Sequence, residues 1–126
     1  MKKMIKIFKS IIVSALFLAS SNAHSFGDNY SPKNILGFYD SKDEGVRTGI
    51  KAYLQGLGTG LLWANSELRI NKRPEIFCGI SDKVFNYEDF YRIYVDEYLR
   101  HKKIYDEESA APGLILKRGI KHEYPC

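Results

Sequence analysis

The sequence predicts an all-α fold: a small single-domain helical bundle stapled by one disulfide. Three observations lead there. Apolar residues recur at three- and four-residue steps over long stretches, no alternating strand pattern exceeds four or five residues, and the two cysteines, Cys78 and Cys126, make an even count. No internal repeat or low-complexity tract argues for more than one unit, so one helical domain is the economical architecture.

Residues 1–23 are expected to be a signal peptide. Lys2, Lys3, Lys6 and Lys9 precede an apolar run from Ile11 to Ala19, broken only by Ser14, which is the order of a secretory signal. Ser21 and Ala23 supply the small side chains for cleavage after Ala23, and Ala23 with Ser25 offers a second such pair. The run is far shorter than the roughly 20 residues that span a bilayer, so export without a retained anchor is expected, with no membrane partner after signal removal. Four of the 19 basic residues leave with the signal, and the remaining 15 equal the 15 acidic ones. The basic pI of about 9.0 therefore belongs to the signal, and a balanced domain has no field to gather nucleic acid.

In an exported chain the cysteine pair is expected to close. A loop of roughly 48 residues gives about 4 kcal/mol in the chain-entropy treatment, substantial for so small a domain. A zinc site lacks ligands, because His101 and His122 do not have the paired spacing that zinc requires.

Residues 24–42 read as a flexible leader rich in turn formers (Gly27, Asp28, Asn29, Ser31, Pro32, Asn34), with Ile35, Leu36, Phe38 and Tyr39 touching the core and no helix before about Asp43. The helical domain is placed at 43–126. Val46, Ile50, Tyr53, Leu54, Leu57, Leu61 and Ala64 then form one apolar stripe on a long helix running to about Asn65. Gly49, Gly56, Gly58 and Gly60 each cost up to about 1 kcal/mol there. A phosphate loop would need its glycines between a strand and a helix, so close approach of another helix is the better reason. Asn71, Lys72, Arg73 and Pro74 break the chain, and Ile76 and Phe77 anchor the connection to the next helix. Asn86, with Asp89 three positions on, caps that second helix, which bears Tyr87, Phe90, Tyr91, Ile93, Tyr94, Val95, Tyr98 and Leu99, a broad face suited to the core or to a partner. An acidic turn, Asp106, Glu107 and Glu108, leads to a third helix with Ser109 as its expected N-cap, Pro112 in its first turn and Pro125 as its stop.

No catalytic or metal-binding constellation emerges, and no enzyme activity or cofactor is expected. All three histidines fall at exposed positions, and the adjacent pairs Asp96–Glu97 and Glu107–Glu108 point apart on a helix, as solvated acids do.

The order of landmarks resembles the Rap/Tai family of immunity proteins: Tyr53, Leu54, Gln55 and Gly56 in one helix, then Phe77–Cys78, then Tyr98–Leu99, then Ser109, Ala110 and Ala111, then Tyr124, Pro125 and Cys126. The likeness covers roughly the last 80 residues. It departs where family members often carry further cysteines, at Lys42 to Gly45 here, and at the Pro112–Gly113 pair in the last helix. The resemblance implies a dimeric periplasmic protein that binds and occludes a peptidoglycan amidase effector delivered by type VI secretion. The resemblance fixes no contact residue; the exposed tyrosines of the middle helix, Tyr91 and Tyr98, and the acidic turn Asp106, Glu107 and Glu108 are the expected contacts. A periplasmic acid-stress chaperone, also small, helical and held by one disulfide, is the alternative; it should open as carboxylates protonate.

Overall fold

The computed structural model describes residues 31–126. The expected signal peptide, the expected cleavage after Ala23, His24 and the first residues of the expected leader lie outside that range. Five helices follow one another: α1 (Pro32–Tyr39), α2 (Glu44–Ile70), α3 (Tyr87–Arg100), α4 (Lys102–Glu107) and α5 (Pro112–Glu123). Among the described residues there is no strand.

Residues 32–39 are not the loose leader expected of them. Ser31 accepts a hydrogen bond from the Asn34 amide and Pro32 occupies the first turn, so the segment is a capped helix. Its Ile35 is wholly buried, which ties it to the domain. Asp43 caps α2 through the Val46 amide. That helix runs to Ile70, past the expected end at Asn65, because the Asn65 side chain turns into the core and leaves the backbone helical.

The middle helix begins as expected. Asn86 accepts from the Glu88 and Asp89 amides while Asp89 accepts from the Asn86 amide, a reciprocal capping box. The acidic stretch is not a turn: Asp106 and Glu107 form the end of α4, followed by Glu108. Nor does Ser109 cap α5; its φ of 48° takes it out of that role, and Ala111 is the N-cap with no side-chain bond.

Helix α3 is the centre of the bundle, packed on α2, α4 and α5. Two glycines admit it. A Cβ at Gly58 of α2 would lie 2.4 Å from the Phe90 ring, and one at Gly119 of α5 would lie 2.7 Å from Ile93 Cγ2 and 2.9 Å from the Ile93 carbonyl. Close approach of helices thus accounts for Gly58, whereas Gly49, Gly56 and Gly60 face open space. The core around this joint holds Ile50, Leu54, Phe90, Tyr94, Ile115 and Leu116, all nearly or fully buried. Three buried tyrosines keep their hydroxyls satisfied: Tyr94 donates to the Pro32 carbonyl, Tyr98 to Asp106 and Tyr105 to Glu97.

Candidate functional site

The connection from α2 to α3, residues 71–86, is built as a rigid base carrying an exposed tip. Its base begins at Asn65, which is 1% exposed. The Asn65 amide group donates to Glu75 Oε2 at 2.9 Å and to the Phe77 carbonyl at 3.0 Å, and its oxygen accepts from the Ile76 and Phe77 amides at 2.7 and 2.9 Å. One side chain therefore does for this loop what a neighbouring strand would do. Cys78 comes next, disulfide-bonded to Cys126 with Cα atoms 4.8 Å apart, and its amide donates to the Tyr124 carbonyl at 3.1 Å. Gly79 takes a φ of +69°, a left-handed turn that side chains disfavour.

Beyond Gly79 the chain makes one tight turn, the Lys83 amide donating to the Ile80 carbonyl. Ile80 is buried beneath it. On the far side Phe85 stacks on Phe90 and meets Tyr124 edge-on at 5.7 Å, while Lys83 lies over the Tyr124 ring. The capping box at Asn86 then fixes the exit. Between these anchors Ser81, Asp82, Lys83 and Val84 are exposed, and Val84 presents 95% of its surface to solvent. An apolar side chain at the tip of a segment held on both sides is suited to filling a partner's pocket, because little ordering remains to be done on binding.

The residues expected to meet a partner are placed differently. Tyr98 is 2% exposed and its hydroxyl is bound 2.7 Å from Asp106, so it is a core residue and not an exposed contact. Asp106 is half-buried and also holds Lys102; that ammonium and the Tyr98 hydroxyl pull its carboxyl below the usual range. Tyr91 is half-buried, its ring stacked on Tyr39 of α1 at 3.5 Å. Glu107 and Glu108 remain exposed. Glu97, read as a solvated acid, is 4% exposed. It accepts from Tyr105 at 2.6 Å and pairs with Arg100 at 3.0 Å. His101 and His122 are exposed.

A cleft of about 280 Å³ lies between α3 and α5, lined by Ile93, Asp96, Glu97, Arg100, Gly119, His122 and Glu123. Its charges are engaged with one another. Arg92 grips Glu123 with two bonds of 2.9 and 2.8 Å, which holds the Glu123 carboxyl below its ordinary value. Both Glu97 oxygens are bound, one to Tyr105 and the other to Arg100. Among the described residues no group of histidine, cysteine, aspartate and glutamate could hold a metal ion, and no helix is long and apolar enough to cross a membrane. The disulfide itself is a mark of an oxidising compartment.

No family model matches the chain, and neither a curated protein nor a solved structure matches it.

Proposed function

We propose that the chain is a periplasmic immunity protein that inhibits a cognate peptidoglycan amidase effector of type VI secretion, and that the turn Ser81–Val84 is the part that enters the amidase cleft. The observation that carries this reading is the exposed Val84 on a segment anchored by Asn65, the Cys78–Cys126 bridge and Phe85. An inhibitor of a cleft enzyme needs a prominence that does not collapse when unbound, and a bridge beside the prominence supplies that in an oxidising compartment. The likeness to the Rap/Tai family supplies the class of partner; the position of the prominence comes from this chain.

Co-expression with a candidate peptidoglycan amidase effector, directed to the same compartment, provides the test. The two proteins should co-purify, protection from lysis should vanish when residues 1–23 are deleted, and Val84→Asp should weaken the complex at least tenfold without unfolding the domain. Absence of a complex refutes the inhibitory reading, and a complex indifferent to Val84→Asp refutes the role of the turn.

The acid-stress chaperone has one observation in its favour, the lowered carboxyls of Glu123 and Asp106, each tied to a basic partner. Those pairs loosen in acid. A chaperone would suppress aggregation of unrelated unfolded proteins at low pH, which the inhibitor would not do.

A further inference from the structure

We infer that the C-terminal end of α2 is a docking surface for an anionic lipid bilayer: Trp63 and Ile70 enter the membrane interface while Arg69, Lys72 and Arg73 bind the phosphate head groups. The inference is independent of the inhibitory reading, since it uses a different face of the domain and its test needs no amidase.

Helix α2 buries Ile50, Leu54, Gly58 and Asn65 against the bundle. Trp63 and Ile70 stand on the opposite side and expose 73% and 72% of their surfaces. They are two turns apart and so lie on one line of the helix, about 10 Å from each other along its axis. A helix face left to water is ordinarily polar and charged, and no packing within the domain accounts for two large apolar groups there. The patch is separate from the Val84 turn. Gln55 of α2 donates to the Phe85 carbonyl at 3.5 Å, which sets that turn beside the middle of the helix, about 22 Å along the axis from Ile70. A domain seated on a bilayer by the end of α2 therefore leaves the turn open.

Charge decides what the patch meets. Arg69 lies in the last turn of α2, and Lys72 and Arg73 follow in the exposed turn beyond Ile70. Among the described residues none of the three takes part in an ion pair. The acids nearest in the chain are turned to amides instead: Glu67 to the Asn71 side chain at 2.7 Å and Glu75 to the Asn65 side chain at 2.9 Å. Three cations against one exposed acid, Glu67, leave this end of the helix positive. The even balance of charge over the whole domain does not cancel it, because salt screens charges more than about 8 Å apart. The expected lack of a membrane partner concerned a retained anchor; a peripheral contact needs no spanning segment.

An apolar pair flanked by guanidinium and ammonium groups matches lipid better than other anionic surfaces. Long basic side chains reach phosphate at the level where a tryptophan ring prefers to lie, with an aliphatic group just beneath it. On a nucleic acid Ile70 would have no π-face with which to stack on a base. An acidic protein would need a shaped apolar pocket to receive both groups, whereas fluid lipid takes groups of any outline.

Vesicle binding by the exported protein with its disulfide closed tests the inference, and Trp63, the single tryptophan, reports from inside the patch. Phosphatidylcholine vesicles containing about 30% phosphatidylglycerol should move its emission to the blue, and lipids brominated near the head group should quench it. Pure phosphatidylcholine should bind at least about tenfold more weakly, and salt of about 1 M should remove the difference. Each Lys or Arg beside an anionic leaflet is worth about fivefold in partitioning, so Lys72→Gln with Arg73→Gln should weaken binding about twentyfold. Lys117→Gln with Lys121→Gln on α5, equally exposed, should leave it unchanged. Ile70→Ser should weaken binding without altering its dependence on salt. No emission change at about 1 mM lipid, roughly tenfold above the half-point of even a marginal membrane contact, overturns the inference. So does binding that a folded Lys72→Gln, Arg73→Gln variant retains in full. An equal blue shift on a single-stranded oligonucleotide at matched phosphate concentration overturns lipid as the partner. Should the double variant fail to fold, the wild-type protein decides: binding without quenching by brominated lipid, or without preference for phosphatidylglycerol, overturns the proposed contact.

Discussion

Replacing Asn65 by alanine removes four hydrogen bonds at once, yet the damage is concentrated in two groups. The Phe77 amide and carbonyl are buried and have no route to water, whereas the Ile76 amide and Glu75 carboxylate lie in a half-buried stretch that solvent can reach. A buried polar group stripped of its partner costs about 1–3 kcal/mol. Two such groups give about 2–6 kcal/mol, a large share of the roughly 5–15 kcal/mol that holds a domain of this size. For a chain of about a hundred residues this corresponds to a fall in melting temperature of at least about 10 °C. Urea unfolding of the oxidised protein, followed by circular dichroism, measures it directly: the midpoint should drop with the slope unchanged. Asn65→Asp gives a second reading. It keeps the acceptor but loses the donor, and it sets a carboxylate against Glu75. Burial and this like charge raise the new group's folded pKa above its unfolded value, so the Asp variant is most penalised at neutral pH and recovers relative to wild type as pH falls. A loss below about 1 kcal/mol for Asn65→Ala, typical of a solvated polar side chain, would show that water replaces the side chain and that the loop base is softer than described.

Three further outcomes rest on the same geometry. Reduction of Cys78–Cys126, or replacement of both cysteines by alanine, should cost about 4 kcal/mol for a separation of 48 residues, read as the difference in urea midpoint with and without reductant. Gly119→Ala should destabilise by about 1–3 kcal/mol despite its better helix propensity, because the methyl group meets Ile93 on both side chain and carbonyl. Gly37→Ala on α1, where the space is open, should instead stabilise by about 0.5–1 kcal/mol; equal signs in thermal melts of the two would refute the packing argument. Stability should be level from neutral pH to about pH 5 and decline below about pH 4, since Glu123 and Asp106 have depressed folded pKa values and their contribution is lost as pH falls through them. Arg92→Gln should flatten that decline in urea midpoints taken across pH, and an unchanged acid limb would show that the Arg92–Glu123 pair contributes nothing.

Features decided by local chemistry were legible in the sequence. The apolar stripe of α2 and the Asn86 capping box depend on residues three and four apart, and both stand where expected. The pairing of Cys78 with Cys126 needed only their number and an oxidising destination. Helix α1 escaped because turn-forming residues dominate its surroundings, although Ser31 before Pro32 is itself a helix-start signal. Glu97 and Tyr98 were misjudged for a different reason. Their partners, Tyr105 and Asp106, stand eight residues away across the break between α3 and α4, beyond any helical spacing. The exposed tip at Val84 had no signal at all, since a valine beside Phe85 looks like core until Ile80 and Phe85 are seen to occupy the buried places.

The seats at Gly58 and Gly119 have a consequence for how this bundle tolerates change. Each is a notch cut in one helix for a particular bulge on α3, Phe90 in one case and Ile93 in the other. Sliding α3 by a single residue against either neighbour would drive a large group into a ridge, so the notches index the helix much as teeth index a ratchet. Size at a notch and at its bulge must therefore vary together: Gly58→Ala, damaging alone, should become tolerable once Phe90 is trimmed to leucine, whereas neither helix accepts enlargement on both sides.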